Sequence, residues 1–217
     1  MVNIRIASNP GFATHALLAQ RLGHLFSRSA AMGLLSTSQV TELSPHSVRG
    51  LVSDLQQHGL AGGAGIYLAP LMQDNPQAWD ATTERRLESD LEQLAQALED
   101  SPTPATEWAS MREALGDDLL ALLLELSASS LRRYATRERA TPEPVANRLH
   151  WLAMVVSDLS GGYNCLGMRR WFERPRAQLG GHSPRAALGP AWRPDDPSAR
   201  RVRALAAALS GAQPLAV

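Results

Sequence analysis

Two prolines in four residues, Ser101-Pro102-Thr103-Pro104, stand near the middle of this 217-residue chain and stop any helix or strand from running across it. Proline lacks the amide donor of a helix interior and pushes the residue before it out of helical backbone geometry. Further breaks fall at Thr141-Pro142-Glu143-Pro144 and Gly161-Gly162, so three domains are expected, over 1–100, 105–160 and 161–217.

Between the breaks the periodicity is mainly helical. From Trp79 to Leu98, Leu87, Leu91, Leu94 and Leu98 follow an i, i+4, i+7, i+11 stripe, the face of a packed helix or a dimer seam. From Phe12 to Phe26, Ala16, Leu17, Ala19, Leu22 and Leu25 share one face. Residues 33–70 read as a helical or winged-helix domain: a helix over Thr37–Leu43, an N-cap at Ser44, Pro45 opening a helix to His58, and a strand over Ile66–Leu68 within Gly65–Ala69. Leu35, Val40, Leu43, Val48, Leu51, Val52, Leu55 and Leu60 are its expected core, with Ser47, Arg49 and Ser53 outward. Gly62-Gly63-Ala64-Gly65 precedes the expected strand instead of following one, the wrong order for a phosphate loop.

Charge narrows the function. The 21 basic and 21 acidic residues cancel, which excludes a polycation that coats nucleic acid by bulk charge. Residues 79–110 carry a net −6 and residues 111–217 a net +5, so a locally basic module remains open. Every basic residue is Arg, which removes Schiff-base and phosphate-loop lysine chemistry. The one cysteine, Cys165, cannot build a disulfide framework or a thiolate zinc site and reads as a buried structural thiol. None of the six His stands at metal-ligand spacing, and His150 beside Trp151 reads as a core residue. No catalytic residue, metal or cofactor is expected. The longest apolar run, Leu119–Leu124, is far short of the roughly 18 residues of a membrane helix, so a soluble, cytoplasmic protein with no membrane partner is expected.

The segment from Asp117 to Tyr134 meets the demands of a helix-turn-helix, two helices packed steeply over a very short turn. Counted from Asp117, the apolar positions four, eight, ten, fifteen and eighteen are Leu120, Leu124, Leu126, Leu131 and Tyr134, and the small residue at position five is Ala121. Ser127 is a candidate N-cap. Position nine, often Gly, is Glu125, a residue less at ease in left-handed backbone. The second helix, 128–136, would present Ser129, Ser130, Arg132 and Arg133 to a major groove, with Arg137, Arg139 and Arg148 placed for phosphates. The alternative is a helical bundle with Arg on its solvated face, or a dimer scaffold.

Downstream, Leu179-Gly180-Gly181-x-Ser183-Pro184 reads as a left-handed helix end followed by a capped helix start, with Trp171, Phe172 and Leu179 as apolar pegs. A closing helix, Ser198 to Leu209, would turn Val202, Leu205 and Leu209 inward. The arrangement over residues 106–212 resembles the Xre/MbcA/ParS-type antitoxins, carried by the helix-turn-helix and by Trp171, Phe172, Pro175, Leu179, Gly180, Gly181, Ser183, Pro184 and Leu188. The resemblance implies a non-catalytic regulator. It would bind double-stranded DNA as a homodimer, repress its own operon and cover the active site of a NAD-consuming RES-domain toxin. The toxin would meet Trp171, Arg174, Arg176, Gly180, Gly181, Ser183 and Pro184. Residues 1–105 lie outside the resemblance and imply a specialised member. A regulator without a toxin, or an interaction scaffold that binds no DNA, fits the same residues.

Overall fold

A computed structural model describes residues 15–36, 42–60, 62–73 and 79–209, and among them the protein is all helix, with no strand. The chain divides into two compact units: residues 15–30 and 34–101 make one, residues 31–33 and 102–209 the other. The division falls at the paired prolines. Gly161-Gly162 separates nothing, because the helices after it pack on those before it.

In the first unit, α1 (Ala16–Ala31) buries Leu18, Ala19, Leu22, Leu25 and Phe26. Ala16 and Leu17 are exposed, so the inward face is turned one residue from the expected one. Helix α2 (Pro45–Gln57) starts as its sequence requires: Ser44 Oγ accepts from the Ser47 amide while Ser47 Oγ accepts from the Ser44 amide, with Pro45 in the first turn. Leu43, Val48, Leu51, Val52 and Leu55 are buried, Leu35 and Leu60 only partly, and Val40 lies outside the described residues. The expected helix over Thr37–Leu43 falls mostly outside them too, and Glu42 and Leu43 are not helical.

The expected strand is absent. Ala64–Tyr67 forms the single-turn helix α3, followed by a 3₁₀ turn over Ala69–Met72. The reason is spacing: the buried residues are Ala64, Leu68 and Leu71, an i, i+4, i+7 set, while Ile66 is 75% exposed. The strand that a winged helix needs is therefore a helical segment. Helix α4 (Ala81–Glu99) buries Leu87, Leu91, Leu94 and Leu98 within its own unit, so the stripe is a core face and not a free seam. His15 with Glu84, Arg21 with Glu92 and Arg28 with Glu99 fix α1 alongside α4 in the same chain direction, at 2.8, 3.0 and 3.1 Å.

The second unit is built on α5 (Pro104–Leu115) and α8 (Glu143–Leu159). Every residue from Leu149 to Leu159 is buried, as expected for a helix surrounded by others. Helices α6 (Asp117–Leu124), α7 (Ala128–Ala135) and α9 (Cys165–Glu173) pack on α5; α11 (Pro197–Leu209) packs on α8 and on the short α10 (Pro184–Leu188). The inward face of α11 is Ala199, Val202 and Ala206, which allows close approach. Leu205 is only partly covered and Leu209 is 44% exposed, so the face is rotated from the expected one. Cys165 opens α9 and is partly exposed, not buried, because the first turn of that helix faces solvent.

Candidate nucleic-acid interface

Helices α6 and α7 meet over three residues, Glu125, Leu126 and Ser127. A helix end leaves four backbone carbonyls unsatisfied; here the turn answers two and side chains from elsewhere in the unit answer the others. Glu125 adopts left-handed backbone (φ 56, ψ 45), which lets the Leu126 amide donate to Ala121 O at 2.9 Å and the Glu125 amide to Leu122 O at 3.3 Å. Leu123 O accepts from Trp192 Nε1 at 2.8 Å, and Leu124 O lies 3.5 Å from the Arg148 guanidinium.

The carboxylate explains why glutamate holds a glycine-like position. One oxygen accepts from the Ala191 amide at 2.8 Å, the other from Arg148 at 2.9 Å. Left-handed backbone costs a non-glycine residue roughly 1 kcal/mol, and two charge-assisted bonds offset it. Ser127 caps α7 as expected, accepting from the Ser130 amide at 3.2 Å.

Helix α7 is anchored by Leu131 and Tyr134, an i, i+3 pair; the Tyr134 ring stacks on Trp108 with centroids 6.2 Å apart. Beneath α6, Leu120 and Leu124 are buried, and Ala121 is partly covered beside the turn. Arg132 and Arg133 are exposed, and neither guanidinium pairs with a carboxylate among the described residues. The other sequence candidates fare differently. Ser129 is exposed and Ser130 half-buried, and both hydroxyls lie 3.0 Å from Ser127 Oγ. Arg137 has φ 61 and spends one donor on Ala105 O at 2.9 Å. Arg139 lies over the Tyr134 ring. Arg148 is held between Glu125 and the Trp192 ring, so it is not a free phosphate contact.

At the start of α6, Arg112 forms two bonds to Asp117, at 2.7 and 2.8 Å. That guanidinium bond holds the Asp117 carboxyl below its usual range, against a smaller desolvation effect. A depressed folded pKa contributes stability above the unfolded value near 4 and loses it as pH falls through the folded one. The pair is 38% and 51% exposed, so the contribution is below about 1 kcal/mol. Asp117→Asn is expected to lower the urea midpoint slightly at pH 7 and not at pH 2.

The second set of candidates divides by burial. Trp171, Phe172, Ser183 and Pro184 are buried. Ser183 Oγ caps α10 by accepting from the Ala186 amide, and Gly180 and Gly181 hold φ 65 and 83, as the turn requires. Trp171, Ser183 and Pro184 therefore belong to the fold; of the residues expected to meet a partner, Arg174, Gly180 and Gly181 are exposed and Arg176 is half-exposed, its guanidinium over the Trp171 ring at 5.6 Å.

Two features escaped sequence reasoning. His150 Nδ1 lies 2.6 Å from Glu107 Oε1, with Glu107 fully buried. Its signal was the i, i+4, i+7 set of Glu107, Met111 and Ala114, which puts a carboxylate on a buried face. The bond from Trp192 to Leu123 spans 69 residues and has no local signal.

Among the described residues no helix is long and apolar enough to cross a membrane, and no group of three His, Cys, Asp or Glu could hold a metal ion. No family model, curated protein or solved structure matches the chain.

Proposed function

We propose that the protein is a DNA-binding, antitoxin-like transcriptional regulator. It reads double-stranded DNA through a helix-turn-helix formed by α6 and α7, as a homodimer on paired half-sites, and represses its own promoter. Its C-terminal segment holds a protein partner, a RES-domain toxin, through the exposed Arg174, Gly180 and Gly181 and the half-exposed Arg176. The observation that carries the DNA reading is the outer face of α7: two adjacent arginines, exposed and without carboxylate partners among the described residues, on a helix fixed at its back by Leu131 and Tyr134. Free guanidinium groups on a short, rigid helix suit guanine edges and phosphates. The toxin reading is supported by the family resemblance.

The test uses duplexes from the region upstream of the protein's own reading frame. The wild type retains such a duplex at low salt. Arg132→Ala with Arg133→Ala weakens binding and lowers the slope of log affinity against log salt by about 1 to 2, near 0.9 for each phosphate that is no longer neutralised. No retained duplex at low salt overturns the DNA reading. For the partner, co-purification with the product of an adjacent RES-type reading frame is expected, and its failure leaves a regulator without a toxin. A second reading, an interaction scaffold, is favoured by Leu122, an apolar residue of α6 that is 59% exposed; an unchanged salt slope in the double variant selects it.

A further inference from the structure

We propose that residues 189–192 are a latch that positions α7 for DNA, with Trp192 and Glu125 as its positioning residues; this rests on the nucleic-acid reading above. Two contacts from this loop reach the end of α6 and the turn that follows it. Trp192 Nε1 closes the Leu123 carbonyl at 2.8 Å, and the Ala191 amide donates to Glu125 at 2.8 Å. Trp192 is itself firmly seated. It is 2% exposed, meets Trp151 edge-on at 4.7 Å and carries the Arg148 guanidinium 5.6 Å from its ring centre.

The backbone on both sides of the contact is unusual. Glu125 at φ 56 and Ala191 at φ 52 are non-glycine residues in left-handed conformation, joined by one hydrogen bond. Such conformations persist where the surroundings over-determine them. The start of α7 is thus fixed by a loop more than sixty residues away in sequence as well as by its neighbours. A cleft of about 270 Å³ lies beside the latch, bordered by Leu122, Leu188, Pro190 and Trp192. The C-terminal segment therefore holds the DNA-reading helix in register, and a partner gripping residues 189–192 acts on that helix.

The test compares the full-length wild type with Trp192→Phe, Glu125→Gly and Glu125→Gln, well below their unfolding midpoints. Trp192→Phe keeps an aromatic ring against Trp151 and deletes the donor to Leu123 O. One readout is amide exchange at Leu126 and along α7, set against α8. The other is the ratio of affinities for an upstream duplex and a scrambled duplex of equal length.

In Trp192→Phe, exchange at Leu126 rises about fivefold or more while that of α8 is unchanged. Affinity for the upstream duplex falls about tenfold, and affinity for the scrambled duplex, carried by phosphates, stays within about twofold. Glu125→Gly relieves the left-handed backbone and loses discrimination all the same, and Glu125→Gln, which keeps an acceptor for the Ala191 amide, recovers part of it. Unchanged exchange at Leu126 overturns the latch. Faster exchange with unchanged discrimination overturns its positioning role. A wild type that retains no duplex, or prefers neither, sinks the nucleic-acid reading, and the exchange result then judges the latch alone.

Discussion

Trp171→Ala is expected to lower the unfolding free energy by about 3–5 kcal/mol, the range for emptying a large aromatic site in a packed core. Trp171 has no exposed surface, and its ring meets Phe172 edge-on at 5.1 Å. Against a total stability of about 5–15 kcal/mol, such a loss moves a large part of the urea transition toward zero denaturant. Trp171→Phe is expected to cost far less, about 1–2 kcal/mol, since a ring still fills most of the site. The indole Nε1 is buried with no hydrogen-bond partner among the described residues. An unpaired buried donor costs roughly 1–3 kcal/mol, so removing it offsets part of the poorer packing. Urea unfolding followed by circular dichroism checks both variants. Equal losses in the two would mean that Nε1 is satisfied and the offset absent. On the proposed partner reading, Trp171, which holds α9 in place, changes affinity only through the fold.

The sequence carried the local half of this architecture. Caps were legible because each is written within four consecutive residues: Ser44 with Pro45, Ser127 with Ser130, Ser183 with Pro184. The paired prolines marked the boundary between units for the same reason. What the sequence lacked was the rotational setting of each helix against its neighbours. The inward face of α11 is Ala199, Val202 and Ala206, since the approach to α8 favours small residues over the larger Leu205 and Leu209. The segment around Ile66 looked like a strand because β-branched and aromatic residues stand together there. Burial instead follows Ala64, Leu68 and Leu71, a helical set whose importance depends on what it packs against. At Glu125 the local reading was incomplete in another way. Its side chain makes glycine-like backbone tenable by binding Arg148 and Ala191, residues that only the fold brings near. The arginines of the candidate interface sort by the same logic, since nothing in the sequence separates the free Arg132 and Arg133 from Arg148, which is occupied within the fold.

The Glu107–His150 pair gives the other large effect, and its size depends on how it is removed. Oε1 of Glu107 collects three donors: His150 Nδ1 at 2.6 Å, the Thr103 amide at 3.2 Å and the Thr103 hydroxyl at 3.3 Å. Oε2 is buried with no partner among the described residues. Glu107→Leu takes the Nδ1 partner from the imidazole and the acceptor from the Thr103 donors at the start of α5, and His150→Leu leaves the buried carboxylate with the two Thr103 donors alone. Each single change is expected to cost about 3–5 kcal/mol, because a buried polar group loses its main partner. The double change removes both groups and restores apolar packing, so it should cost less than either single one. Urea unfolding of the four proteins gives the coupling energy directly. A double variant as unstable as the sum of the singles would show that the pair makes no coupled contribution and that each side chain acts through other neighbours. Glu107 precedes Trp108 on α5, the residue on which Tyr134 of α7 stacks, and among the described residues no hydrogen bond or ion pair joins the pair to Arg132 or Arg133. On the proposed nucleic-acid reading, the double variant should therefore keep the duplex binding of the wild type wherever it is folded, which separates loss of the core from loss of the outer face of α7.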